Sequence, residues 1–353
     1  MSSVVLPQRR SWNGRQFAVS GLIVLLLATA VGGMATGAMP LRAGEVLGAL
    51  LRWLTGNAAQ GDDQVVLMLR LPRVLMAALV GASLACSGAA MQGLFRNPLV
   101  EPGLVGISAG AALGAIGMIV LGGTVLAQVS GMLWTFGVAG AAFVGGLLAT
   151  MLVYLFGCWR PGVATLLLAG VAINAIAMAG VGLLTYLANE HQLRDLSFWT
   201  LGSLGGTDWM RLATVAPLML LPLALLPRYA RALNALLLGE REAALLGFRP
   251  ERLRRQLIAL VALSVSAAVA MCGVIGFVGL LVPHVVRMIW GPDHRLLLPA
   301  SALVGAALLI AADAVARVVV SPAELPIGVI TALLGGPFFL WLLLRLRIGD
   351  SST

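Results

Sequence analysis

The chain has 353 residues, 60% of them apolar and only 10% charged, with 43 glycines and a formal net charge of +9. A soluble domain carries about 25% charged residues, so a water-facing globular protein is excluded and an integral membrane protein is implied. All 23 basic residues are arginine, which excludes a Walker A loop and a lysine Schiff base in this chain, since both need a lysine amine.

Arg9, Arg10 and Arg15 precede an uncharged stretch from Gln16 to Leu41. It exceeds the roughly 7 to 15 apolar residues of a signal peptide and reads as a retained first helix with its N-terminus in the cytoplasm. Further uncharged blocks lie between Arg73 and Arg96, Glu101 and Arg160, Arg160 and Glu190, Arg211 and Arg228, Arg255 and Arg287, Arg295 and Asp313, and Glu324 and Arg345. The Glu101 to Arg160 block is too long for one crossing of roughly 20 residues and breaks at GGTVLAQVSG; the Arg255 to Arg287 block breaks near CGVIG. Ten crossings result. With the first running outward, sixteen arginines fall on cytoplasmic connections and termini and seven on the outer side, which puts both termini in the cytoplasm.

The expected fold is an all-α integral membrane protein of about ten transmembrane helices in two inverted five-helix halves, a transporter plan, with residues 1–353 forming one polytopic domain. The small-residue runs GASLACSGAA and GISAGAALGAIG allow close helix approach. Cys86, Cys158 and Cys272 sit in apolar runs without C-x-x-C spacing and read as packing residues.

The longest cytoplasmic connection, residues 229–255, contains GEREAALLGFRPERLRR, with eight charges in a chain poor in them. Leu233, Leu236, Leu237, Ala243, Leu245, Leu246 and Phe248 recur on helical spacing around Gly239 and Gly247, which predicts two short helices joined at glycine. Such an element either lies in the lipid headgroups or docks a cytoplasmic partner that covers its leucines. Arg70 and Arg73, at the outer end of the second crossing, and Arg317, near the outer end of the ninth, run against the arginine bias; Asp313 lies one turn before Arg317 and offers it an ion pair.

These segments carry a resemblance. RLPR (Arg70 to Arg73), SGAAMQ (Ser87 to Gln92), RNPLVEPGLVG (Arg96 to Gly106), GEREAALLG (Gly239 to Gly247), GFVGLLVPHVVR (Gly276 to Arg287) and ELPIGVITALLGGPFF (Glu324 to Phe339) resemble, in order and over nearly the whole chain, the permease subunits of ABC importers for iron chelates, haem and cobalamin. The resemblance implies a homodimer in the bacterial inner membrane, with two separate ATPase chains below and a periplasmic binding protein above. No cofactor is bound permanently; ATP is used by the partner. Gly239, Glu240, Glu242, Ala243, Leu246 and Gly247 would then couple to the ATPase. Arg70, Arg73 and Arg317 would dock acidic residues of the binding protein. Asn97 and Leu99 would form the cytoplasmic gate, with GVAT (Gly162 to Thr165) as a second constriction; Pro98 forces the chain out of helix at Asn97, which a simple helix-ending turn also explains.

His284 and His294 are candidates for the substrate pathway, because imidazole binds iron and serves as a haem axial ligand; for His284, a buried histidine beside a proline break is the competing reading. Both histidines and NPLVEPGLVGISAGAALGA (Asn97 to Ala115) are closer to haem permeases than to siderophore permeases, so haem is the expected substrate, with ferric siderophore or cobalamin as alternatives. An ion-coupled secondary transporter is the rival from another class. It would display acidic residues at mid-membrane, and Asp313 is the one clear candidate. A membrane enzyme would need a polar catalytic cluster, and no such motif is present.

Overall fold

A computed structural model of the chain describes residues 12–37, 39–57, 61–122, 132–157, 163–321 and 323–350. Among them every regular element is helical. In chain order these are α1 (Trp12–Ala35), α2 (Ala43–Leu54), α3 (Asp62–Phe95), α4 (Ile107–Gly122), α5 (Met132–Gly157), α6 (Val163–Leu187) and α7 (Glu190–Leu201). There follow α8 (Trp209–Leu225), α9 (Ala230–Leu238), α10 (Glu240–Leu245), α11 (Pro250–Cys272), α12 (Val278–Trp290), α13 (His294–Ala316) and α14 (Ile327–Asp350).

Seven spans, within α1, α3, α5, α6, α8 with α9, α11 and α13, are long and apolar enough to cross a bilayer, and the apolar helices Ile107–Gly122, Val278–Trp290 and Ile327–Leu342 are shorter. These ten segments occupy the ten intervals expected from the uncharged blocks. The break at CGVIG is real, because α11 ends at Cys272 and α12 starts at Val278. Most of GGTVLAQVSG, together with Cys158 and Gly162, lies outside the described residues.

Helix α3 is the axis of the bundle: 83% of its most apolar window is buried, against 17% for α1. It packs along α13 and against α8, α11 and α12. In a bilayer, apolar area gives little drive for helices to associate, so close packing has to supply it. At the crossing of α3 and α13 a Cβ on Gly81 would strike the carbonyl of Gly305, and one on Gly305 would strike the carbonyl of Gly81. Only glycine at both positions lets the two backbones touch.

Two features depart from the expected map. The second crossing starts at Asp62, not near Arg73, and passes through a π-helical turn at Val65–Arg70, so both arginines lie within the helix. Their charges do not end it because both are matched inside the protein, as described below. The connections flanking the second and sixth crossings also hold amphipathic helices, α2 and α7, that charge intervals could not reveal. Helix α7 starts with a reciprocal cap: Asn189 Oδ1 accepts from the Gln192 N–H at 2.9 Å and Gln192 Oε1 from the Asn189 N–H at 3.0 Å, satisfying two first-turn donors.

Candidate functional site

The charged island folds as expected into two short helices. Helix α9 ends at Gly239, whose φ of +139° suits glycine, and a Cβ there would collide with the Glu242 carboxylate curling back over it. Helix α10 closes on Gly247, φ +87°, with the Phe248 N–H donating to the Ala243 carbonyl at 3.1 Å and the Gly247 N–H to that of Ala244 at 3.0 Å, a glycine-terminated helix end. Glu240 pairs with Arg254 of α11 at 2.6 Å and Ala243 is fully buried, so one face of α10 is fixed to the bundle. The other presents Leu245, 88% exposed, and Leu246. Nothing among the described residues covers this leucine pair.

Besides the Glu240–Arg254 pair and the buried Leu233 and Leu236, an asparagine ties this element to the bundle. Asn234 of α9 accepts from the His294 backbone N–H at 2.9 Å, sits 2.8 Å from His294 Nδ1, and donates to Asp293 Oδ1 at 2.7 Å. His294 is 1% exposed, and its Nε2 abuts Gly93 near the end of α3 without a hydrogen-bond partner. His294, expected on the substrate pathway, is buried between α3, α9 and the start of α13, where it links α9 to the two central helices. Asn234 was missed, since a lone asparagine in an amphipathic helix carries no motif.

The expected gate lies just past α3. Arg96 ends the helix in the left-handed region, φ +52°, and the Leu99 N–H donates to Asn97 Oδ1 at 2.9 Å around Pro98. Leu99 is exposed and Val100 buried. The chain then turns inward: Glu101 accepts from the Phe277 N–H at 3.1 Å, and burial raises its pKa, opposed by that hydrogen bond. The Gly103 carbonyl accepts from Asn174 Nδ2 of α6 at 3.2 Å. The Asn97–Leu99 turn is thus tied through the next few residues to α6 and to the start of α12. Of GVAT, Val163 to Thr165 open α6.

At the far end of the same central helices sit the three arginines. Arg70 donates to the carbonyls of Met34 at 2.6 Å, Ala35 at 3.2 Å and Met39, while Arg317 donates to those of Thr36 at 2.6 Å and Gly33 at 2.7 Å. Both therefore cap the C-terminus of α1, whose last carbonyls have no helical partner and favour positive charge. Asp313, 1% exposed, bridges Arg317 Nε at 3.1 Å and Arg73 Nη2 at 2.9 Å, and Arg73 also holds Glu324 at 2.9 Å. Glu324, with its side chain 44% exposed, is drawn below the usual carboxylate range by its hydrogen bond with Arg73. Asp313, the acidic residue that an ion-coupled transporter would need, is already clasped by two guanidiniums.

His284 lies elsewhere, on α12 facing α14. Its ring meets Phe338 edge-on with centroids 5.8 Å apart, and Phe338 in turn contacts Phe339 at 5.6 Å and Trp341 at 5.8 Å. The sequence pointed to His284 but not to these rings, although PFFLW, Pro337 to Trp341, is the densest aromatic run in the chain.

The described residues thus form a helical membrane bundle whose two central helices meet an element with exposed leucines at one end and hold an ionic lattice at the other. The sequence matches the FecCD transport family over residues 18–345, and the chain belongs to that family. It is 45% identical over 341 residues to the hemin transport system permease protein HmuU of Yersinia pestis, covering 95% of this chain and 98% of that protein. Identity to the vitamin B12 import system permease protein BtuC of Klebsiella pneumoniae is 42% over 343 residues, 97% of this chain and 96% of the relative. A solved metal-chelate type ABC transporter in an inward-facing conformation matches with a TM-score of 0.81 at 35% identity, covering 94% of this chain and 99% of that one. The protein is a permease subunit of an ABC importer and not an enzyme, with ATP hydrolysis in a separate chain.

Proposed function

We propose that this permease carries haem from a periplasmic binding protein into the cytoplasm, working as a homodimer in the bacterial inner membrane with both termini and the α9–α10 element on the cytoplasmic side. Two ATPase chains take Glu240, Glu242, Ala243 and Leu246, between the turns at Gly239 and Gly247, and closure of the ATPases moves that element. Asn234 passes the motion to His294 and so to α3 and α13. At the gate the Asn97–Leu99 turn opens when α3 shifts, and substrate leaves. Only a state-dependent difference in contacts can drive such a change, and the ATP-bound partner supplies it.

The observation that carries the haem reading is the aromatic wall of Phe338, Phe339 and Trp341 on which His284 rests. A flat conjugated ring gains stacking on such a wall without polar contacts that would have to be undone at each turnover. Relatives named for vitamin B12 import support cobalamin as the second reading, with a ferric siderophore the remaining alternative. Reconstituted uptake of haem, cobalamin and a ferric siderophore side by side, with ATPase and binding protein present, tests the assignment. Haem accumulation dependent on ATP supports it, and transport of only one of the others overturns it.

Of the outer arginines, Arg73 is our choice for direct docking, because its second carboxylate, Glu324, is half exposed and replaceable by one from the binding protein. A bidentate guanidinium–carboxylate pair orients a partner as well as attracting it. Arg70 and Arg317, engaged with α1, act by holding Arg73 and its surroundings in place.

A further inference from the structure

Helices α5 and α11 leave a groove of about 510 Å³ between them at the end of the bundle that carries α10. Its walls are apolar. Leu148 and Met151 of α5 are both exposed, and Ile258, Ala259 and Ala262 line the α11 side, where the two alanines make room between the helices. Along α11 the groove runs from Arg255 to Ala262, seven residues or about 10 Å at the helical rise, a length that fits the upper part of an acyl chain. Arg255 and Tyr154 complete its lining. Arg252, one turn before Arg255 and so on the same face of the helix, extends the positive edge. Both arginines are exposed and neither has a hydrogen-bond or ion-pair partner among the described residues, whereas their neighbour Arg254 is engaged by Glu240.

We propose that this groove is a binding site for one anionic phospholipid, its acyl chain between α5 and α11 and its phosphate on Arg252 and Arg255. The argument is one of matched chemistry along a single axis. The groove offers Arg255 and Tyr154 in its lining, with Arg252 a turn away at the start of the spanning helix, and an alkyl-lined interior, the pairing of charge and apolar slot that an anionic lipid at the interface would match. A zwitterionic lipid would fill the slot but bring a cation to the arginines; a soluble anion would meet the arginines but not the slot. Because the adjacent Arg254 grips α10, a lipid seated here lies beside the α9–α10 element.

The test is native mass spectrometry of the purified protein in detergent, titrated with phosphatidylglycerol and, separately, phosphatidylcholine of the same chains. The wild type is expected to retain phosphatidylglycerol at least tenfold more tightly than phosphatidylcholine. R252Q/R255Q should lose that preference while still binding phosphatidylcholine, and A259F/A262F, which fills the slot, should bind both weakly. The arginines are exposed, so the first variant keeps its fold; circular dichroism checks the second. Equal retention of the two lipids by the wild type, or unchanged preference in R252Q/R255Q, overturns the proposal. So does cross-linking of two copies of the chain through a cysteine introduced at Leu148, which would mean that a second subunit covers the groove.

Discussion

Asn234 and His294 are joined twice, by a 2.9 Å hydrogen bond from the histidine backbone N–H and a 2.8 Å contact with its Nδ1, both on the same asparagine oxygen. Helix α9 is therefore tied directly to the first turn of α13. Replacing Asn234 with leucine keeps the branched shape but leaves buried donors unmatched, a loss of about 1–3 kcal/mol. The expected result in proteoliposomes is ATP hydrolysis retained with substrate uptake reduced at least fivefold; uptake and hydrolysis falling together would count against a transmitting role.

At the opposite end, Asp313 is paired with two arginines at once. Asp313→Asn leaves Arg317 without its carboxylate and Arg73 with Glu324 alone, and removal of one partner from a buried pair costs about 3–5 kcal/mol. Thermal unfolding of the detergent-solubilised protein should show a Tm lower by several degrees, whereas Glu324→Gln, at a half-exposed position, should shift it little. Freed of its exposed competitor, Arg73 in Glu324→Gln should hold the binding protein a few-fold more tightly at low salt, measurable by surface plasmon resonance.

Leu245 and Leu246 contribute little to the fold of the isolated chain because both are exposed. A Leu245→Asp, Leu246→Asp variant is expected to express and melt like the wild type but to co-purify at least tenfold less ATPase. Gly247→Val behaves differently: at φ +87° a β-branched side chain strains the turn by about 1–3 kcal/mol, so capture of the ATPase should fall together with local stability, seen as faster hydrogen exchange in α10.

Glu101 predicts a pH dependence with a definite sign. Burial raises its folded pKa, so the native state holds a proton that the unfolded chain releases. Stability is then greatest at and below the ordinary carboxylate range, falls as pH rises from there to the raised value, and levels off above it. Glu324 has the opposite sense: its folded pKa is lowered by Arg73, so its contribution is present above the ordinary range and lost as pH falls through the lowered value. Melting curves from about pH 3 to 8 separate them, since Glu101→Gln should flatten only the fall above the ordinary carboxylate range.

The sequence by itself determined where the crossings lie. Ten uncharged intervals became ten apolar helices because a bilayer forbids unmatched charge and unsatisfied backbone over roughly 20 residues at a stretch, and such a rule is written in linear order. Gly239 and Gly247 likewise announced the ends of α10, since helix ends are local and glycine is the residue that tolerates them. The tertiary structure alone decided which charges are matched. Arg73 meets Asp313 and Glu324 across 240 and 251 residues of chain, and Arg70 finds its carbonyls on another helix, so a helix expected to end at these arginines runs on past them to Asp62. Asn234, His294 and the Phe338 wall belong to the same class. Their chemistry depends on partners distant in sequence, whose approach is set by backbone contacts such as Gly81 on Gly305, and no periodicity along the chain records that.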